Sequence, residues 1–174
     1  MARIQAGDRG AFDQLVRRHL NAIHAYALRL SGSPADADDL SQETFMRIWQ
    51  KASTYRFEAV RVTTWMHQIA HNVFVDSWRR REPTQSLDDE TIDTVRSPEP
   101  YDDDATQLLQ VSIARLPLGQ RTAVSLALFS GFSADETGHI MGISTHAVES
   151  LIARARRTLR QVVRQPANES GSCQ

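Results

Sequence analysis

A single cysteine and a single lysine occur among the 174 residues. Cys173 stands alone in the polar stretch NESGSCQ. That excludes a disulfide framework and a cysteine metal site, and it fits a reducing compartment. No apolar run approaches the roughly 18 residues of a membrane span. Met1 to Gly10 carries Arg3, Asp8 and Arg9 with no apolar signal core behind them. The expected location is therefore cytoplasmic, with no membrane contact of the chain's own. There is no phosphate-binding glycine loop, no nucleophile elbow and no paired-carboxylate site, so no catalysis by this chain alone and no cofactor is expected. His67 and His71 stand four apart on a helical pattern, a spacing that can share a metal. No third ligand accompanies them, so they read as polar helix residues and no metal is expected.

Arginine is abundant where lysine is not, with nineteen in the chain. The net charge of −1 conceals a segregation. Residues 1–81 hold 12 basic and 8 acidic groups, residues 82–104 hold nine acids against Arg96 alone, and residues 105–174 hold seven arginines and four acids. Two basic bodies thus flank an acidic tether. The tether, EPTQSLDDETIDTVRSPEPYDDD, has three prolines and almost no large apolar residues, so it reads as a flexible linker. The implied organisation is a domain at 1–81, a linker at 82–104, a second domain at 105–165 and a disordered tail at 166–174.

Both domains read as helical, because apolar residues recur at three and four rather than two, and the expected class is all-α. Phe12, Leu15, Val16, Leu20, Ile23, Ala27 and Leu30 form one stripe ended by SGSP. A second helix starts near Asp36, carries Leu40, Thr44, Phe45, Ile48 and Trp49, and runs to about Ala52. A third runs from about Thr63 through Trp65, Ile69 and Val73 to Arg79, Arg80 and Arg81. Between them STYRFEAVRV mixes aromatics with arginines. In the second domain Leu108, Leu109, Val111, Ile113 and Leu116 suit a helix stopped at Pro117, and Ala123, Val124, Leu126, Ala127 and Leu128 a further one ending at Gly131.

Ser133 and Glu136 then form a capping box that starts a short helix ending at Gly142. Ser144 caps the next helix, with Val148, Leu151, Ile152, Ala155, Leu159 and Val162 at helical spacing. Two helices joined by GIS make a helix-turn-helix: Gly138 is small where the helices cross, Gly142 permits a positive φ, and Ile143 and Val148 fill the joint. Such a motif lays its second helix in the major groove. Thr145, His146, Glu149 and Ser150 then lead toward base edges, while Arg154, Arg157, Arg160 and Arg164 supply phosphate-neutralising charge.

Across most of its length, in order and spacing, the chain resembles the extracytoplasmic-function sigma factors of the sigma-70 family. These are the smallest bacterial RNA polymerase sigma subunits, regions two and four joined by a linker. The resemblance rests on DADDLSQETFMRIW (Asp36 to Trp49), TTWMHQIAHNVFVDSWRRR (Thr63 to Arg81), LQVSIARLPLGQRTAVSLALFSGFSADETGHIMGIS (Leu109 to Ser144) and AVESLIARARRTLR (Ala147 to Arg160). It implies that Asp39, Leu40, Gln42, Glu43 and Phe45 dock on the clamp coiled coil of the largest polymerase subunit. It implies that the loop and the following helix melt and read the minus-10 promoter element. There Tyr55, Arg56 and Phe57 offer stacking and charge, Asn72 meets a flipped base edge, and Arg79, Arg80 and Arg81 hold phosphates. Thr145, His146, Glu149, Ser150, Arg154 and Arg157 would read the minus-35 element as duplex.

The implied partners are core RNA polymerase, through its beta and beta-prime subunits, promoter DNA and an anti-sigma factor. Two departures mark this chain. Phe57 replaces the glycine of the commoner Phe-Arg-Gly-Glu loop, with one apparent extra residue before Thr63, and AVESL stands where TVKSR is frequent, placing Glu149 and Leu151 at customary basic positions. Glutamate accepts from cytosine N4, so Glu149 is expected to shift sequence preference, and Leu151 to face the core. Two other readings stay open. A stand-alone helix-turn-helix regulator leaves DLSQETF and the aromatic-arginine loop unexplained, and a regulatory decoy would bind an anti-sigma protein but no promoter.

Overall fold

The computed structural model describes residues 1–81 and 111–164, with side chains as far as Arg160. The expected linker at 82–104, the tail at 166–174, and Leu108 and Leu109 lie outside the described residues, as does the side chain of Arg164. Within the described residues every regular element is helical.

The amino-terminal half holds α1 (Ala2–Gln5), α2 (Arg9–Ser31), α3 (Pro34–Gln50), a 3₁₀ turn (Ala52–Thr54) and α4 (Val62–Arg81). Asp8 caps α2 by accepting from the Ala11 amide at 2.9 Å. Gly32, at φ +67°, ends it in a left-handed cap. The next residue, Ser33, caps α3, with Pro34 at its first position, where the missing N–H costs nothing. The helix therefore starts ahead of the expected Asp36. The short α1 has no periodic signal and was not expected; Gln5 at its end donates to Ala52 O and Tyr55 O, at 3.0 and 2.9 Å.

The carboxy-terminal half opens with helical residues at 111–114, followed by α5 (Leu118–Val124), α6 (Ala134–Met141) and α7 (Thr145–Arg164). α5 passes into a π-helical turn, Ser125–Phe129, closed by the Ser130 amide on Ser125 O at 3.0 Å. The wider turn explains a misfit in the expected stripe: Leu126 is fully buried, while Leu128 and Phe129 face out.

Ile23, Tyr26, Leu30, Leu40, Ile48, Met66, Ile69 and Val73 interleave α2, α3 and α4, and the same core continues into Leu118, Leu126, Phe132 and Ile140 of the other half. Among the described residues the second half also has a small cluster of its own, Leu116, Val124 and Ala155 with Leu159. The two halves thus share part of one core. Arg121 sits at that seam. Only 1 % exposed, it donates from Nη1 to Leu30 O at 2.7 Å and from Nη2 to Leu116 O at 3.0 Å. No helix among the described residues is long and apolar enough to cross a membrane.

Candidate nucleic-acid interface

The helix-turn-helix forms as its residue types require. Ser133 Oγ accepts from the Glu136 amide at 3.1 Å, and Glu136 Oε2 accepts from the Ser133 amide at 3.0 Å. The Ser133 amide first, then the Ser133 hydroxyl and the nearby Arg61, hold the Glu136 carboxyl below its ordinary range. Gly142, at φ +69°, turns the chain. Gly138 is obligatory for closeness, since a Cβ there would lie 2.8 Å from Ile143 O. Ser144 Oγ accepts from the Ala147 amide at 3.2 Å and starts α7. Val148 and Ala155 are fully buried beneath that helix. On its other side His146, Glu149, Arg154, Arg156, Arg157 and Arg160 are exposed, and Ser150 is half-buried. Thr145, also half-buried, is drawn back to Asp135 at 3.3 Å. Ile143 is exposed, so the expectation that it fills the joint fails; Val148 does so alone.

The aromatic-arginine loop is pinned from within. Tyr55 is buried, donates its hydroxyl to Val60 O at 2.8 Å, and packs its ring on Trp65 and Phe57 at centroid distances of 5.2 and 5.1 Å. The expectation that Tyr55 stacks on a base is corrected: the ring is consumed in supporting the loop. Phe57, 58 % exposed, presents the free face, with Arg56 exposed beside it. A groove of about 430 Å³ adjoins Phe57 and is bordered by Arg3, Gln14 and Arg18, cationic and amide groups that the sequence reading passed over. On α4, Asn72, Arg79 and Arg80 are exposed. Arg81 is exposed but tied to Asp36 at 3.0 Å and to Ser77 at 2.9 Å.

The α3 face divides as its pitch dictates. Asp39 and Gln42 are exposed, while Leu40 and Phe45 are each 6 % exposed. Leu40 is corrected to a core residue. Phe45 is corrected likewise, although its edge lines a groove of about 680 Å³ between α2 and α3, floored by Phe12 and Trp49 at 5.0 Å. Glu43 accepts from Arg47 at 2.7 Å, and Arg47 also reaches Asp76 on α4 at 2.8 Å. Those two carboxylates push the Arg47 guanidinium above its ordinary range. Leu20, part of the apolar stripe read from the sequence, and Met46, which that reading did not name, are 41 and 52 % exposed and line the groove. The signal lay in Gln42, Met46 and Trp49, which share a side of α3 at spacings of four and three.

His67 and His71 are buried beneath α2, not solvated on the helix surface. His67 Nδ1 donates to Thr63 O at 2.9 Å, and His71 Nδ1 lies 3.4 Å from the Tyr26 hydroxyl. Burial lowers both imidazoles to a pKa of about 4, with His19 and Arg29 adding repulsion at His67. Among the described residues no group of three potential ligands that could hold a metal ion occurs.

Residues 15–84 match the family model Sigma-70 region 2, and residues 106–159 match Sigma-70, region 4. The chain is 34 % identical over 165 residues to the ECF RNA polymerase sigma factor SigM of Mycobacterium tuberculosis, covering 91 % of this chain and 80 % of that one. It is 34 % identical over 177 residues to the ECF RNA polymerase sigma factor SigE of Mycolicibacterium smegmatis, covering 94 and 67 %. Among solved structures, the sigma factor RpoE in complex with the anti-sigma factor NepR from Bartonella quintana aligns with a TM-score of 0.71 at 25 % identity, over 90 % of this chain and 98 % of that one. CnrH in complex with the cytosolic domain of CnrY has the same fold, with a TM-score of 0.73 at 24 % identity over 95 and 96 %.

Proposed function

The chain belongs to the extracytoplasmic-function sigma factors of the sigma-70 family and directs promoter-specific transcription initiation, and from that premise we propose which of its surfaces does what. The groove between α2 and α3, lined by Gln42, Met46 and Leu20, together with the exposed Asp39 on α3, docks on the clamp coiled coil of the beta-prime subunit, and the carboxy-terminal half meets the beta subunit. Its apolar floor inside a polar edge suits a protein partner. The Phe57 ring, Arg56 and Asn72 receive unstacked bases of the minus-10 element, and Arg79, Arg80 and Arg81 track its backbone. α7 lies in the major groove of the minus-35 duplex, with His146, Glu149 and Ser150 at base edges and Arg154 and Arg157 at phosphates. Residues 82–104 form the linker between the two domains. The protein works in the cytoplasm, where an anti-sigma factor restrains it, by analogy with the complex of RpoE with the anti-sigma factor NepR.

The observation that carries this reading is the presence of three distinct surfaces in one chain. A stand-alone duplex-binding regulator needs only the face on α7 and has no use for the groove or the Phe57 loop. The test is transcription of sheared bacterial genomic DNA by core polymerase reconstituted with the chain, with mapping of transcript starts. Start sites sharing two upstream elements at fixed spacing are expected. Tight duplex binding with no new starts would leave the stand-alone regulator.

A further inference from the structure

A cavity of about 370 Å³ lies apart from the DNA-facing surfaces and from the groove between α2 and α3. Its walls come from α2, from α4 and the residue before it, and from the segment that follows α5. Four basic side chains line it, His19, Arg29, Arg61 and His67, against the rings of Phe129 and Phe132. Among the described residues no carboxylate lines it.

The basic groups are disposed for an anion. The Arg29 guanidinium lies 5.1 Å from the centre of the Phe129 ring, an attraction that holds a planar cation at the cavity wall. Arg61 is exposed and approaches Glu136 at 3.6 Å, too far for a hydrogen bond, and an ion pair of that kind at a solvated surface is weak. Its fork is therefore able to swing onto a phosphate group. His67 donates from Nδ1 to Thr63 O at 2.9 Å and packs its ring on Phe132 at 4.7 Å, while its Nε2 has no hydrogen-bond partner among the described residues. Burial, and then repulsion from His19 and Arg29, lowers that imidazole to a pKa of about 4, and the repulsion marks a place short of negative charge.

A phosphate supplies the missing charge in the shape that arginine forks match, two oxygens at a time. The volume lies at the small end of ligand cavities, room for one or two phosphates and a small organic group on the phenylalanine rings. A partner helix, about 10 Å across, is too wide for it.

We propose that this cavity binds a small phosphorylated anion, with Arg29 and Arg61 on the phosphate and Phe129 and Phe132 beside its organic part. Because the walls belong to both halves, the bound anion links them and stabilises the fold in step with its occupancy. The chain thereby responds to the concentration of a phosphorylated small molecule. Binding at this cavity is independent of the promoter and polymerase assignments above.

The test titrates inorganic pyrophosphate into the full chain by calorimetry, with Arg61→Gln and Arg17→Gln as variants. Both replace one exposed arginine and so retain the fold, but Arg17 pairs with Asp13 and does not line the cavity. The native chain should bind one equivalent with a Kd below about 1 mM. Arg61→Gln should weaken binding at least about tenfold, as expected for a lost charged hydrogen bond, and Arg17→Gln by less than about twofold. Pyrophosphate at about ten times the Kd should raise the melting temperature by roughly 3–6 °C. The His67 and Phe132 proton resonances should shift along the same binding curve. No saturable binding below about 1 mM would overturn the proposal. Equal weakening by the two variants, or resonance shifts confined to α7, would overturn it as well, since either places the anion on diffuse surface charge.

Discussion

Replacing Gly138 by alanine should destabilise the helix-turn-helix, against the ordinary preference of helices. In the middle of α6, glycine to alanine normally gains up to about 1 kcal/mol. Here the new Cβ would stand 2.8 Å from Ile143 O, a backbone atom. Relief requires moving the turn, yet Gly138 O also accepts from Gly142 and Ile143, the latter at 3.0 Å, so the turn cannot retreat without stretching its own bonds. Against a backbone atom that cannot give way, overpacking takes the upper part of its usual range, about 2–3 kcal/mol, and after the propensity gain leaves a net loss of about 1–2 kcal/mol. For a chain of this length that lowers the melting temperature by roughly 2–8 °C. Calorimetry with native and variant chains provides the assay. Duplex affinity should fall at 25 °C as well, because a shifted turn re-aims α7. An unchanged or raised melting temperature would refute the steric reasoning.

His67 and His71 make stability depend on pH in a defined window. Their folded pKa of about 4 lies below the unfolded 6.5, so the unfolded chain binds more protons between those values. Stability is therefore full above about pH 6.5 and falls toward pH 4, by about 2 kcal/mol per histidine at pH 5; urea midpoints at pH 7 and 5 should show the fall, and a double glutamine variant should flatten it. Tyr55→Ala should cost about 3–5 kcal/mol of stability through its lost buried ring. Phe57→Ala should leave stability within about 0.5 kcal/mol while reducing open-complex formation, read by permanganate reactivity of unpaired thymines. Arg157→Ala should weaken duplex binding for every sequence and lower the salt dependence by about one phosphate, whereas Glu149→Ala should alter base preference at one position.

The helices and their caps were legible in the sequence where local chemistry dictates them. The Ser133–Glu136 box, the Gly142 turn and the Ser144 cap depend on residues three or four apart, and the helix-turn-helix could be read from them directly. The class and the order of helices followed from the same periodicity. The misplaced residues were those whose environment comes from far along the chain. Tyr55 is a plausible stacking ring in sequence, but Gln5, fifty residues earlier, and Trp65 enclose it. Leu40 and Phe45 share the DLSQETF motif with Asp39 and Gln42, and only the packing of α2 separates the inward from the outward set. His67 and His71 read as polar helix residues, and their burial follows from α2 and Phe132, which lie far away in sequence. The seam was invisible because Arg121 carries no local mark: its acceptor, Leu30 O, is a backbone atom 91 positions away.

Size-exclusion co-elution of purified chain with core RNA polymerase tests the proposed docking through the groove face of α3. The native chain should co-elute with the enzyme, and the Asp39→Arg, Gln42→Ala double variant, whose exposed substitutions leave the fold intact, should elute alone. A native chain that fails to co-elute while binding duplex DNA tightly would contradict the account, as would a double variant that co-elutes undiminished.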